Sequence, residues 1–461
     1  MKKIGTLKTY KSSEIEDSIV SIGFECLDRK LFNPERCYGP LAESGVKYAR
    51  VQTGWAVCET ERGVYDFKWL DDIVDKLIAG GIKPWFNVGF GNPLYMPNVP
   101  NPTAVGCVPL YYGDEATNAW LAFVGALTRH FASRIKEYEI WNESDMKQFW
   151  YPNNPDADAY ARLISITGRV IRENQPDARI GANTASSYFD YVGRLAELLN
   201  VGELDFYCLH KYSVFPELEW FEKVREIDRQ FKRRGHNVKL WMGEGGYPSW
   251  FPKGHWMHPY PDNDGSERQQ AVYQLRRYFQ DASLGLERSS FFQMVDMWER
   301  PYEKAQEVLK KPAAQGILNG ITYTKKQAYY TISRLGTLLS GAVEPLDAFF
   351  DYKLEGASRT ETVSVQRFCF KRKNKPMYVY YLPTDIQKEV DVDYKFSFYT
   401  LAQDVEPIES PVLIDPYNGN VYEIESPRFW QGIAATGLPI AEYPLIICDC
   451  SMYEIIPAEN A

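Results

Sequence analysis

Two glutamates stand out by where they fall in the sequence. Glu143 lies in YEIWNESDMKQFW (138–150), directly behind a short apolar run and an adjoining Trp-Asn step, with no Gly or Pro between. Glu244 lies in KLWMGEGG (239–246), at the end of another apolar run. A lone Glu is usually a solvated charge. Two that each close a buried strand are a better candidate for chemistry. If both strands point toward one pocket, one carboxyl can protonate a departing oxygen while the other attacks or activates water, which is the minimum equipment for cleaving a glycosidic bond.

The elements that must place them follow from the hydrophobic pattern. Short β-like runs at 19–25, 48–53, 83–90, 137–142, 179–183, 204–210, 239–244 and 289–295 alternate with helical stretches. Several of the runs are almost continuously apolar, as strands covered on both faces should be. FKWLDDIVDKLIAGG (67–81), AWLAFVGALTRHF (119–131) and DADAYARLISITGRVIREN (156–174) carry apolar residues at helical spacing, the first stopped by Gly80-Gly81. Eight β-then-α units predict a (β/α)8 TIM barrel over 14–341. A doubly wound sheet is the alternative, but no GxGxxG turn follows the first strand. Beyond 341, short strand-like runs broken by Pro, Asn, Asp and Gly predict a C-terminal β-sandwich domain over 342–461, completed by residues 1–13 if IGTLKTY adds a strand.

Composition removes several classes. With 52 Lys and Arg against 61 Asp and Glu, the net charge of −9 argues against nucleic acid as a partner. No apolar run is long enough to cross a bilayer, so no membrane partner is expected. The basic start has no apolar segment behind it, which predicts a cytoplasmic chain, or a secreted one if a leader has been removed. Eight Cys without a CxxC pair predict reduced, mostly buried thiols. Aromatics make up 15% of the chain; their flat faces suit sugar rings as well as a large core. No cofactor is implied. His255 and His258 are three apart but have no matching Cys or acid spacing, so no metal is expected.

WNES (141–144) resembles the Trp-Asn-Glu-Pro acid/base step of clan GH-A, the retaining (β/α)8 glycoside hydrolases. WNESDMKQFW with DADAYARL, and YDFKWLDDIVDKLIAGGIKPWFNVGFGNP (65–93), resemble glycoside hydrolase family 39, the β-xylosidase and α-L-iduronidase family. The resemblance spans about residues 17–340 and departs at Ser144, where the family usually has Pro. It implies Glu143 as acid/base and Glu244 as nucleophile. It implies Asn142 at the substrate 2-hydroxyl, Arg50 beside the nucleophile, His210 and Tyr212 lining the same subsite, and Trp298 as the floor under the sugar. Glu25, at the end of the first strand, either touches substrate or caps a loop. Each has a plainer role open to it: His210 and Trp298 as core, and Arg50 in a structural ion pair. Asp145 is expected to stabilise its loop. The loops 92–114 and 246–264, rich in Pro and aromatics, are expected to wall a pocket and favour exo-action.

The implied activity is a retaining exo-glycosidase on a β-xyloside, with the carboxyl groups about 5–5.5 Å apart. A β-glucoside, an arabinoside or a uronide on the same machinery are the alternatives. So are a non-catalytic carbohydrate-binding barrel and a metal-dependent barrel hydrolase. An oligosaccharide or glycoside is the expected partner, and homo-oligomerisation is left open.

Overall fold

The structure, a computed structural model, describes residues 1–251, 257, 265–297, 313–356, 364–387, 394–425, 428–429 and 432–458. Eight parallel strands close a barrel: β2 (Val20–Gly23), β3 (Tyr48–Gln52), β4 (Lys83–Val88), β5 (Glu137–Ile140), β6 (Arg179–Thr184), β7 (Phe206–His210), β8 (Lys239–Gly245) and β9 (Arg288–Phe291). Helices alternate with them on the outside, among them Lys68–Ala79, Asp114–Phe131, Ala157–Asn174 and Glu267–Ser283. The fold is a (β/α)8 TIM barrel. Among the described residues no helix is long and apolar enough to cross a membrane.

β1 (Lys2–Leu7) lies outside the barrel, paired with β16 (Asn420–Glu423) and β20 (Ile455–Pro457). That eight-stranded sheet continues through β15 (Pro411–Ile414), β19 (Leu445–Asp449), β13 (Lys375–Tyr381), β12 (Gln366–Arg372) and β10 (Val343–Pro345). A four-stranded sheet holds β11 (Phe349–Glu355), β14 (Lys395–Leu401), β18 (Gly432–Pro439) and β17 (Arg428–Phe429). A second apolar core, with Phe350, Tyr378, Tyr380, Phe396 and Leu413, lies between these two sheets. The buried Arg276 ties the barrel to this sandwich by donating to the backbone oxygens of Glu442, Thr384 and Leu382.

Strand alternation stacks the barrel interior in layers. At the closed end Glu137 pairs with Arg288 at 3.0 Å and Arg179 reaches Glu287 at 2.7 Å. Above them Tyr48, Trp85, Phe206 and Trp241 form an aromatic plug, with Phe206 stacked on Trp241 at 3.8 Å. Gly181 makes room for it: a Cβ there would lie 2.0 Å from the Phe206 ring. Arg50 is the next layer, its guanidinium 5.6 Å from the centre of the Trp85 ring. The plug is thus the floor on which the charged layer rests.

Trp241→Ala should therefore cost about 3–5 kcal/mol by opening a cavity between charged layers. A urea midpoint that falls with unchanged slope checks this; an unaltered midpoint contradicts the plug.

Candidate active site

Arg50 is completely buried and surrounded by acceptors. Its Nε donates to Glu139 Oε2 at 2.7 Å, and its Nη2 to Asn142 Oδ1 at 2.8 Å. Nη1 donates to both Glu25 Oε2 and Glu244 Oε2, at 2.8 and 2.9 Å. Strands β2, β3, β5 and β8 are thereby drawn to one point. The three carboxylates hold the guanidinium charge well above its ordinary range, against the pull of burial.

Each partner gets there by a local backbone device. Gly23 leaves room for the Glu25 side chain, since a Cβ there would meet Glu25 Oε1 at 2.8 Å. In β8, Trp241 faces the barrel interior and Met242 the outer core, so regular alternation would turn Glu244 outward. The pairing of β7 with β8 is irregular between Leu209 and His210, where His210 lies opposite Glu244. That bulge at Gly243 re-aims Glu244 toward Arg50.

Glu143 lies beyond β5, which ends at Ile140, two residues short of the expected strand end. Trp141 and Glu143 both adopt left-handed backbone, with φ of 68° and 44°, so the chain turns sharply over the barrel mouth. Neighbouring strands clamp that turn. Asn87 and Asn183 both donate to the Trp141 carbonyl, at 2.5 and 2.8 Å, and Asn183 Oδ1 accepts from the Glu143 N–H. Ser144, in the place of the expected Pro, donates its hydroxyl to the Asn183 carbonyl at 3.1 Å. Asp145 accepts from the backbone N–H groups of Ala185, Ser186 and Ser187, joining this loop to the one after β6.

His210 connects the two glutamates. Its Nδ1 is 3.1 Å from Glu143 Oε1 and 3.6 Å from Glu244 Oε2, and its Nε2 is 3.8 Å from Glu139 Oε1. Burial alone would lower this imidazole, but Glu244, Glu139 and Glu143 outweigh it and raise it to about 10. Burial likewise disfavours charge on Glu139, yet Arg50 and His210 hold it below the usual carboxylate range. Glu25 goes the other way: burial carries it up to about 8 in spite of Arg50. Tyr212 donates its phenol to Glu244 Oε1 at 2.6 Å.

The geometry places Glu143 and Glu244 together at the barrel mouth. An oxygen of each and a ring nitrogen of His210 lie within 4.8 Å of one another. Such a trio could in outline ligate a metal. However, Glu244 already faces the Arg50 cation at 2.9 Å, and Glu139 and Glu143 flank His210 on either ring nitrogen. The three residues fit a protein-supplied cation better than a metal ion.

Residues 35–235 match the family model described as Glycosyl hydrolases family 39. A β-xylosidase from Geobacillus stearothermophilus is 28% identical over 130 residues, which is 25% of this chain and 24% of that protein. The match thus spans about a quarter of the curated relative's length. A family 39 glycoside hydrolase from the gut symbiont Bacteroides cellulosilyticus WH2 has a TM-score of 0.65 at 14% identity, covering 95% of this chain and 82% of that one. A GH30 endoxylanase from Clostridium papyrosolvens C71 has a TM-score of 0.60 at 10% identity, covering 96% and 97%. The chain is of the clan GH-A type, family 39-like.

In this family 39-like chain a cavity of about 700 Å3 opens over the two glutamates, lined also by Phe149, Ser186, His210, Tyr212, Lys223 and Phe292 among others. The loop 92–114 supplies none of the lining; it lies behind the 146–151 segment, with Tyr151 N–H donating to the Gly106 carbonyl and Val108 N–H to the Tyr151 carbonyl. The expected wall on that side comes instead from 146–149. Trp298, His255, His258 and most of 246–264 lie outside the described residues.

Glu139 was missed by the sequence reasoning, although its spacing of two from Glu137 marks it as inward-facing. So was Gln293, buried next to Gly23 with neither amide atom hydrogen-bonded among the described residues. The clamping pair Asn87 and Asn183 sits inside runs that had signalled only strands.

Arg50→Met leaves Glu25, Glu139 and Glu244 without their shared cation and should cost about 3–5 kcal/mol. A denaturation midpoint within error of wild type contradicts the cluster. His210 has a second signature. Its folded value lies above the ordinary 6.5, so its contribution is complete below 6.5 and lost as pH rises through about 10. The stability gap between wild type and His210→Gln should narrow over that window; a constant gap contradicts a charged His210.

Proposed function

We propose that the chain is a retaining glycoside hydrolase that acts on terminal residues by double displacement, with a β-xyloside as its substrate. The observation that carries this is the facing pair, Glu143 and Glu244, with oxygens within 4.8 Å at one mouth. That approach supports direct attack on an anomeric carbon by one carboxylate while the other handles the proton. The name of the Geobacillus relative, β-xylosidase, supports the sugar and the terminal mode of action.

In the first step Glu244 attacks the anomeric carbon, held in place by Arg50 at one oxygen and Tyr212 at the other. Glu143 gives its proton to the departing oxygen, and the aglycone leaves. Glu143, now a carboxylate, removes a proton from water, which releases the sugar from Glu244 with net retention. Asn142 presents its Oδ1 to Arg50, which leaves its amide N–H groups for the sugar 2-hydroxyl, a contact that strengthens as the oxocarbenium ion develops. His210 supplies positive charge next to Glu143 once that residue has lost its proton. Glu25 and Glu139 act through Arg50.

A panel of nitrophenyl glycosides differing in sugar and anomer tests activity and sugar together. Glu143→Ala should lower turnover of poor leaving groups by about 10²–10⁴, with azide restoring part of the rate and yielding a glycosyl azide of retained configuration. Glu244→Gln should turn over none of the panel, and wild-type activity should survive EDTA. An inverted azide product, or activity in Glu244→Gln, refutes the assignment.

A further inference from the structure

Two lysines that the double displacement leaves unused line the same cavity. Lys211 follows His210 directly, and Lys223 projects from the helix Trp220–Lys232. Both are half-buried. Lys223 Nζ donates to the Ser186 carbonyl at 2.7 Å, and Lys211 makes no side-chain hydrogen bond or ion pair among the described residues. No carboxylate oxygen comes within 4.0 Å of either ammonium among the described residues. The acids that act on them from further away are otherwise occupied or exposed. Asp145 already accepts three backbone N–H groups, and Glu219 stands in solvent. Burial lowers both lysines, and for Lys211 the neighbouring Lys223 and Arg277 add to the effect. Ammonium groups left without counter-ions in a partly desolvated pocket are costly to maintain and are relieved by an incoming anion.

Their position says which part of a substrate would supply that anion. The Ser186 that Lys223 holds is tied through its N–H to Asp145, two residues from Glu143. Met146, Phe149 and Ser186 line the cavity on this side, next to the proposed proton donor. The sugar whose anomeric carbon reacts must lie over Glu244, so the wall next to Glu143 faces the departing group. We propose that Lys211 and Lys223 form an anion-recognition site on the leaving-group side, which selects glycosides whose aglycone carries a carboxylate or sulfate. This rests on the hydrolase proposal for its orientation, but the cation pair and its cavity stand without it.

The test uses the intact chain and matched nitrophenyl glycosides with a neutral, a ring-carboxylated and a ring-sulfonated leaving group. The ratio of kcat/KM for each anionic compound to the neutral one is compared among wild type, Lys211→Met, Lys223→Met and the double variant. The ratio should fall about tenfold in the double variant, chiefly through KM, and should fall in wild type as salt is raised. Comparing the two anionic arms tells a carboxylate preference from a sulfate one. Calorimetric binding of the same compounds separates this proposal from the hydrolase one. Lys-dependent, salt-sensitive binding of the anionic compounds without cleavage of any would uphold the anion site and refute the hydrolase. Cleavage of the neutral compound with an anionic-to-neutral ratio unchanged by both substitutions would uphold the hydrolase and refute the anion site.

Discussion

A guanidinium sealed inside a barrel has to be neutralised from every side, and that demand organises this molecule. Arg50 reaches Glu25, Glu139, Glu244 and Asn142 with its three nitrogens, and these partners come from three separate stretches of chain. A buried charge without such partners would cost far more than a typical domain can spare. The arrangement therefore fixes strand ends to one another more tightly than apolar packing alone. The proposed nucleophile is held as one spoke of this network. Its orientation is settled before any ligand arrives, which is the condition for electrostatic preorganisation.

The remaining architecture protects that charged layer. The aromatic plug of Trp85, Phe206 and Trp241 seals it from below, and the Glu137–Arg288 layer seals the plug in turn. Above it, His210 adds a second positive charge between Glu139, Glu143 and Glu244, so that four acidic groups converge without unopposed repulsion. Burial raises Glu25 to about 8, the opposite direction to Glu139, which Arg50 and His210 hold low. The sandwich contributes at a distance, through Arg276 and its backbone acceptors, by holding the outer helix Glu267–Ser283 against the barrel.

Much of this was legible in the chain itself. All eight barrel runs appear as strands, because residues buried on both faces leave a nearly unbroken apolar signature. Glu143, Glu244, Arg50, Asn142, His210, Tyr212 and Glu25 all meet at one mouth. What escaped notice depends on backbone geometry or on contacts between distant segments. The left-handed turn at Trp141 and Glu143 cannot be read from residue types that normally avoid it. The bulge that turns Glu244 inward leaves only Gly243 as a trace. Glu139 looked like an ordinary polar position in a short strand, since nothing local says that Arg50 lies across the barrel. The 92–114 loop carried a wall-like composition, yet its backbone pairs with Tyr151 and its Tyr111 packs on Trp150, behind the 146–151 segment.

The central claim is that Glu244, aimed by Arg50 and Tyr212, forms a bond to the sugar while Glu143 moves the proton. The most direct measurement is mass spectrometry of the intact protein and its peptides after reaction with an activated fluoro-sugar that stalls the second step. A stoichiometric adduct confined to Glu244, released on addition of an acceptor, is the predicted result. A label on Glu143 instead, or turnover of the parent glycoside with no adduct on any residue, would contradict it.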